Sequence, residues 1–415
     1  MSVNISYIGG GNRPTPNKDK YIGLVYGISA IPVGAAEKEV IEIFSASEIE
    51  DKVKVTAEST LVEDRILFYH LSTLYKINPL AVVNLYLTTT ISLDDLNVFS
   101  GDVQLIGYRT GTQIADAAAL TTLIGDTQAK LDQINENDNK EAVCLVSVGL
   151  DNITSANLPS FETTGVADRV GYDAIQDFTE GSVAKELFEE NENLCGGIGI
   201  LLGVATKNTV RHHWGDRKFC LLNGIVQEAV LSTSDQKPTT NGITKTEKEQ
   251  LKNKGVMFIE KTENLYNIVL HNCRSCSKIT ASNNELFIAR PLVKVAKIVG
   301  DTAEPLINDS SLFFEQDSTL SVASLDRLAS SVKDAITQKM LSGSDKSLYE
   351  LDYEDANIPT IITKYEGTGD PHGIYIDPTQ KVKLTGILNI GVCLKYKGVI
   401  GTINAKISVS LSSAS

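Results

Sequence analysis

Apolar and polar residues alternate most regularly at the end of the chain. Between residues 402 and 412 every second position is apolar, and the positions between are polar. This period of two predicts a β-strand with one buried face. A strand of this kind has to complete a sheet, either in its own domain or in a neighbouring molecule, and the rest of the sequence favours the neighbour. Its apolar positions are Ile403, Ala405, Ile407, Val409 and Leu411.

The beginning of the chain repeats this pattern. Val3, Ile5 and Tyr7 alternate with polar residues, and a run of three glycines followed by two prolines then ends the alternation. We therefore predict a strand-like arm at each terminus, with a central body between the two arms.

The central body shows helical and strand patterns in alternation. Continuous apolar strands alternating with amphipathic helices predict an α/β sheet covered by helices. A polar segment, 232–246, is a predicted linker, and the spacing of Thr246 and Glu249 predicts the start of a short helix that ends at Gly255. The predicted helices are 61–77, 117–134 and 321–340, and the predicted strands are 22–27, 81–87, 142–148, 195–206, 256–259, 266–270 and 285–289.

Charge and hydropathy exclude several classes of function. The net charge of −14 argues against a nucleic-acid binder, which needs basic patches to neutralise phosphates, and it equally disfavours an anionic membrane surface. The longest apolar run, 196–205, is well short of the roughly 20 residues that cross a bilayer. The start of the chain lacks the pattern of a signal peptide, so we expect a protein made in the cytosol.

One pair of cysteines suggests chemistry, but only weakly. Cys273 and Cys276 form a CxxC beside His271. A zinc site would need a second ligand pair, and a redox pair would need a βαβ context. A loop at a strand end is the favoured interpretation, and all six cysteines are expected to be reduced.

Two other motifs have structural explanations. Gly197, Gly199 and Gly203 suggest a phosphate-binding loop, but the apolar residues between them favour a buried strand packed closely against a helix. His212 and His213 could form a metal or catalytic pair, yet with Trp214 they fit a surface or interface loop better. The sequence has no nucleophile elbow, Walker A, HExxH or EF-hand motif. We therefore predict no catalytic, metal or cofactor residues.

Several stretches of the chain share the pattern of one protein family. They are 3–14 with 21–27, 68–79 with 82–87, 201–210, 255–259, 266–269 and 286–297. Together they resemble contractile tail sheath proteins of phages and phage-like contractile injection systems, in their compact type. The likeness spans nearly the whole chain, although Pro291, Cys273 and Cys276 depart from the pattern.

The resemblance implies an α/β fold of two sandwich-like units with a β-strand arm at each end. The arms would be 1–20 and 386–415, with an outer domain over 21–240 and an inner, tube-facing domain over 241–385. Such a subunit is a structural protein and not an enzyme, and it needs no cofactor. It stacks in hexameric rings around an inner tail tube, with baseplate and tail terminator proteins as further partners, and it binds neither nucleic acid nor membrane.

The resemblance also implies a mechanism. The sheath would assemble in a metastable extended state and contract to drive the tube through a target envelope. Strands through Val3, Ile5 and Tyr7 and through the last strand would augment the sheets of neighbouring subunits. The implied location is a virion tail or phage-like particle assembled in the bacterial cytoplasm.

Two questions stay open at this point. We expect the helix over 321–340 to meet the tube through Arg327, Lys333 and Lys339, but a helix packed on its own sheet with a solvated polar face is an equal alternative. The competing functions are another structural virion protein, such as the tail tube, and an unrelated cytosolic α/β enzyme.

Overall fold

The chain folds around two β-sheets with helices packed against them, which confirms the predicted α/β class. The computed structural model describes residues 21–138, 140–190, 196–207, 214, 221–262, 267–271, 273–278, 280–281, 285–308, 312–341, 349–351, 374–385, 387–396 and 402–410. The predicted arm at 1–20 lies outside this set.

The larger sheet, called the main sheet here, has eight strands. Its order is β10-β9-β6-β5-β4-β1-β3-β2. The six inner strands are parallel to one another, and the edge strands β10 and β2 each pair antiparallel with the strand beside them. Strands β7 and β8 form a separate pair. The bounds are β1 Tyr21–Gly27, β2 Val40–Ile43, β3 Val82–Thr88, β4 Leu105–Gln113, β5 Val143–Gly149, β6 Val170–Asp173, β7 Gln176–Asp177, β8 Ala229–Val230, β9 Val256–Lys261 and β10 Ile268–His271.

Helices cover both faces of the main sheet. Leu24 and Leu145 belong to one apolar core with α2 and α5, whereas Val25 and Val146 belong to a second core with α3. Burial on both faces explains why these strands are continuously apolar rather than alternating. The helices of this part are α1 Glu48–Val53, α2 Val62–Ile77, α3 Ala117–Asp138, α4 Val183–Glu190, α5 Ile198–Lys207 and α6 Lys245–Asn253.

The glycine-rich segment predicted as a strand over 195–206 is instead the buried helix α5. A Cβ atom at Gly199 would lie 2.2 Å from the carbonyl oxygen of His70 in α2, so only glycine allows the two helices to pack this closely. The prediction of close packing against a helix was correct, but the element was wrong. An apolar run that is buried on all sides has no amphipathic period to distinguish the two structures.

Two smaller predictions are corrected in the same way. The segment 285–289 begins a long helix, α7, which runs over Leu286–Asn308 and is again apolar on most sides. The capping box of α6 is formed by Thr244 and Glu247, two residues before the predicted pair.

The smaller sheet, called the C-terminal sheet here, has β13 at its centre. β12 and β11 pair one after the other along one side of β13, and β14 pairs along the other side. Helix α7 contacts both β14 and β5 of the main sheet, and α8 packs on α7 and β12. The elements are α8 Val322–Ile336, β11 Tyr349–Leu351, β12 Ile374–Ile376, α9 Val382–Thr385, β13 Ile387–Tyr396 and β14 Thr402–Ser410.

Strands β9 and β10 follow the predicted boundary at 240/241, yet β9 pairs with β6 and β10 with β9, so both belong to the main sheet. The predicted division into two domains stays a prediction. The C-terminal sheet with α7, α8 and α9 is called the C-terminal unit here. Polar composition alone marked 232–246 as a linker, and it gave no information on which sheet the following strands join. No helix in the described ranges is both long and apolar enough to cross a membrane.

Candidate inter-subunit interface

The last strand forms a hairpin with its own β13 in this single chain. Residues that lie directly opposite each other in an antiparallel pair share one face of the sheet. The register places Ile407 opposite Ile390 and Val409 opposite Leu388, and both of these β13 residues are buried. The strand predicted from the alternation is therefore confirmed for Ile403, Ala405, Ile407 and Val409. Leu411, Val3, Ile5 and Tyr7 lie outside the described residues.

The outer side of β14 is an edge of the C-terminal sheet. Among the described strands, β14 pairs with β13 alone. An edge strand presents main-chain donors and acceptors that can pair with another chain. The predicted pairing between subunits is not tested by a single chain and stays a prediction, but the strand that would make it is at the edge that the prediction requires.

The opposite side of β13 is closed at one end by a side chain. The amide of Asn389 donates to Gln380 Oε1 at 2.7 Å, and Gln380 Nε2 donates to the Asn389 carbonyl at 3.0 Å. The side chain thus makes the two hydrogen bonds that a neighbouring strand would make. This contact occupies β13 just beyond the end of β12, so the side of β13 away from β14 is filled at this point.

Helix α8 and the turn after it carry the three residues predicted to contact a tube. Arg327 and Lys339 are exposed, and Lys333 is half-buried. Lys339 follows the helix in a π-helical turn, Thr337–Leu341. The described solvent-facing residues also include Asp326 and Asp334, so three basic and two acidic side chains share this region. The arrangement is compatible with a tube contact and with a solvated face.

The apolar stripe predicted for α8 is largely confirmed, with one exception. Leu325, Ala329, Val332 and Ile336 are buried, whereas Val322 is 56% exposed. Val322 is the first residue of the helix. The helical period predicts that Val322 lies on the same face as the buried residues, but it does not predict where the elements that cover this face end.

A second candidate site lies where the parallel strands of the main sheet end. The carboxyl ends of parallel strands are the usual place for ligand sites in α/β proteins. Arg109 of β4 lies over the Tyr26 ring, with its guanidinium carbon 4.5 Å from the ring centroid, and it donates to the Gly27 carbonyl at 3.3 Å. Ser147 lies two residues before the end of β5, and Asp173 is the last residue of β6 at the same edge. This group was not predicted from the sequence, although a polar residue near the end of each apolar strand was the available signal.

His70 of α2 is locked in its neutral form within this group. Its Nε2 donates to the Gly196 carbonyl at 2.6 Å, so its Nδ1 accepts from the Tyr26 hydroxyl at 3.0 Å. Burial, followed by the charge of Arg109, lowers the pKa of His70 to about 3. A fully bonded neutral imidazole holds α2 against β1 and has no free nitrogen for proton transfer.

Asp173 holds the start of α5. Its Oδ1 accepts from the amides of Ile175 and Gly197 at 3.2 and 3.3 Å. Burial raises the pKa of Asp173 to about 6 in spite of these hydrogen bonds. His70, Arg109 and Asp173 are all 5% exposed or less. The contacts of these buried groups hold α2 and the start of α5 against the main sheet.

The CxxC segment does not form a site either. Cys273 and Cys276 are buried in different apolar cores, and burial raises the pKa of the Cys276 thiol. His271 instead pairs with Glu260, with 3.0 Å between Nδ1 and Oε1. Burial alone would raise the pKa of Glu260, but hydrogen bonds from His271 and Lys248 lower it to about 2. Within the described residues, no three His, Cys, Asp or Glu side chains lie close enough to hold a metal ion.

The histidine pair and a cleft beside α3 add little to an enzyme hypothesis. His212 and His213 lie outside the described residues, and Trp214 is buried rather than at a surface. A cleft of about 440 Å³ opens beside α3, and its described lining contains neither histidine nor cysteine. Its Asp132 is ion-paired with Arg169, and its Gln128 accepts from the amides of Asp168 and Arg169.

Solved structures of tail proteins share this fold. The sheath tail protein of Desulfitobacterium hafniense matches with a TM-score of 0.53 and 9% identity, over 98% of this chain and 100% of that one. The sheath tail protein Lin1278 of Listeria innocua matches with a TM-score of 0.53 and 9% identity, over 94% and 95%. A chain of the anti-feeding prophage baseplate is 13% identical over 86% and 89%, with a TM-score of 0.48. The sequence matches no family model and no curated protein.

These likenesses define the fold class. The chain has the fold of sheath tail proteins along nearly its whole length, including both sheets. The α/β fold that the sequence resemblance implied is therefore confirmed at 9% identity, whereas the arm at 1–20 and the pairing of the arms with neighbouring copies stay predictions.

Proposed function

We propose that this chain is the structural subunit of a contractile tail sheath. The observation that carries the proposal is the match of 98% of the chain to the whole length of a sheath tail protein. The buried state of His70, Arg109 and Asp173 supports a structural role for the one polar group that resembles an active site.

The proposed assembly step is an exchange of the last strand. In the isolated chain β14 pairs with its own β13, and in the sheath it pairs with the β13 of a neighbouring copy. The exchanged strand keeps the same register and the same partners, so the exchange costs little free energy once the copies are close together. The arm with Val3, Ile5 and Tyr7 is proposed to add to a neighbouring sheet in the same manner.

The proposed contraction is a rigid-body rearrangement. The main sheet and its helices would rotate as one body, and the exchanged strands would act as hinges. New contacts between subunits supply the free energy, so no nucleotide is needed. Even a few kcal/mol for each subunit, which is on the order of one well-buried apolar side chain, becomes large over many copies.

The partners follow from this role. Hexameric rings would stack around an inner tail tube in a virion tail or phage-like particle, with baseplate and terminator proteins at its two ends. We place α8 on the tube side because Arg327 and Lys339 are exposed there. Lys333→Glu with Lys339→Glu should weaken co-assembly with the tube, and unchanged co-assembly would remove this assignment.

The experiment that tests the proposed function is negative-stain electron microscopy of the purified full-length chain, with and without its co-expressed inner tube protein. We expect rings, or hollow rods of uniform diameter, that sediment together with the tube. A monodisperse monomer under all of these conditions would contradict the proposal. An ATP- or substrate-dependent activity that is retained by the monomer would favour the enzyme alternative.

A further inference from the structure

Three large apolar side chains are exposed around the start of α8. Phe313 is 70% exposed, Val322 is 56% exposed and Leu384 of α9 is 74% exposed. We call these three residues the Phe313 patch. Single exposed apolar residues are common on soluble proteins, but a group of large ones marks an interaction site.

Hydrogen bonds connect the three segments that carry these residues. The amide of Ser321, next to Val322, donates to the Phe313 carbonyl at 2.9 Å. The amide of Lys383, next to Leu384, donates to the Ser318 carbonyl at 3.3 Å, within the hairpin that joins Phe313 to α8. The patch is therefore built from three elements that are connected to one another.

The hairpin also holds Phe313 in an outward position. Its amide donates to Ser324 Oγ at 2.7 Å, and the next residue, Phe314, forms a bridge with Leu320. Phe314 packs against the core and Leu320 is buried. Successive residues of an extended segment point to opposite sides, so the packing of Phe314 directs Phe313 towards solvent. A rigid, exposed aromatic side chain is a common anchor of protein interfaces.

The charges around the patch are balanced, which favours a partner whose contacting surface carries little net charge. The exposed charged residues nearest in sequence are Glu315, Asp317, Lys381 and Lys383, two acidic and two basic. The surroundings are thus locally neutral on a chain whose net charge is −14. A second copy of this chain, which is repelled elsewhere by like charge, would meet least repulsion here.

We propose that the Phe313 patch docks against a second copy of this chain in the assembled sheath. This inference rests on the proposed function. Three side chains cover far less than the roughly 800 Å² per partner of a stable pairwise interface, so the contact has to belong to a larger one. The patch lies on the same unit as β14, because α8 packs on β12 and β12 pairs with β13. Strand exchange would therefore bring a neighbouring copy to this surface.

The test is a comparison of matched surface substitutions in the full-length protein. Phe313→Ser and Leu384→Ser change two different elements of the patch, and Leu80→Ser changes a side chain that is 66% exposed at the main sheet. Sedimentation of rods gives the critical concentration for assembly of each variant. We expect an increase of about tenfold for each patch variant, a change of less than about twofold for Leu80→Ser, and near-normal assembly for Phe313→Leu.

Each outcome decides between the two proposals. Wild-type rods with equal critical concentrations in all variants would overturn the docking inference and leave the proposed function intact. An equal increase in the critical concentration of Leu80→Ser would also overturn the docking inference, because any exposed apolar side chain would then have the same influence on assembly. If the wild-type chain forms no rods, both proposals fail. Melting curves of the monomers check that the variants fold. If Phe313→Ser does not fold, Leu384→Ser still tests the docking inference.

Discussion

The two sheets of this chain differ in how completely the chain covers them. Helices bury both faces of the main sheet, and its two edges are short antiparallel strands. The C-terminal sheet has a nine-residue strand, β14, at one edge, and two three-residue strands share the other side of β13. The described strands therefore leave a long unpaired edge in the C-terminal sheet, and this edge belongs to the sheet through which we propose that copies of the chain pair.

The same contrast holds for polar groups. The main sheet buries Arg109, Asp173 and His70 in a network that joins α2, α5 and four strands. The C-terminal unit instead exposes Phe313 and Leu384. Substitutions in the main sheet should therefore change the stability of the monomer, and substitutions at the C-terminal surface should change assembly.

The largest expected effect concerns the pH dependence of the main-sheet network. The folded-state pKa of Asp173 is raised from 3.8 to about 6, so between pH 4 and 6 the folded state holds a proton that the unfolded state has lost. The folded-state pKa of His70 is lowered from 6.5 to about 3, so in the same range the unfolded state holds the extra proton. The two groups therefore offset each other in the wild-type chain.

If either group is removed, the free energy of unfolding should change with pH as the remaining group dictates. Relative to wild type, Asp173→Asn should lose stability as pH falls from 6 to 4, at about 1.4 kcal/mol per pH unit, and His70→Gln should gain stability at a similar rate. Urea unfolding at several pH values measures both slopes, which amount to roughly 3 kcal/mol over this range. Parallel slopes in the two variants would show that the network does not titrate as described.

A smaller effect is expected where α5 meets α2. Gly199→Ala places a Cβ atom against the His70 carbonyl, and we expect a loss of about 2 kcal/mol in the free energy of unfolding. Gly125→Ala in α3 is the matched control, because its Cβ atom would contact nothing within 4 Å. The control should gain about 0.5–1 kcal/mol from helix propensity. Losses of equal size in both variants would mean that α5 is not packed as the structure shows.

The smallest effect is expected at the closed side of β13. Gln380→Ala removes the two hydrogen bonds to the Asn389 main chain and should cost about 1 kcal/mol locally. Hydrogen exchange should show a protection of the Asn389 amide that is lower by about fivefold, with unchanged exchange in β5. Gln316→Ala, at an exposed glutamine, should alter neither region. Unchanged protection of the Asn389 amide in the Gln380 variant would contradict the two hydrogen bonds between Gln380 and the Asn389 main chain.

The sequence predicted the elements that have a clear period and missed those that do not. Helices α2, α3 and α8 and strands β3, β5 and β9 follow their patterns, because each has either an amphipathic face or a short apolar run bounded by polar residues. The segments that became α5 and α7 are apolar on most sides, and nothing local distinguishes them from strands.

The candidate interface shows a different limit of sequence patterns. Alternation identified β14 correctly, because an apolar residue at every second position is typical of a strand. The exposure of Val322 and Phe313 depends on where the covering elements end, which is a property of the fold and not of the local pattern. The His70 network likewise joins residues from four separate segments that only the topology brings together.

The most direct test of the account is a disulfide across the last two strands. Asn389 and Ser408 are opposite partners in the β13–β14 register, so Asn389→Cys with Ser408→Cys can be cross-linked in assembled rods, with each single variant as a control for the native cysteines. Denaturing gels of oxidised rods should show a ladder of covalent oligomers, because each β14 is bonded to the β13 of another copy. Rods that yield only cross-linked monomers would contradict strand exchange between subunits.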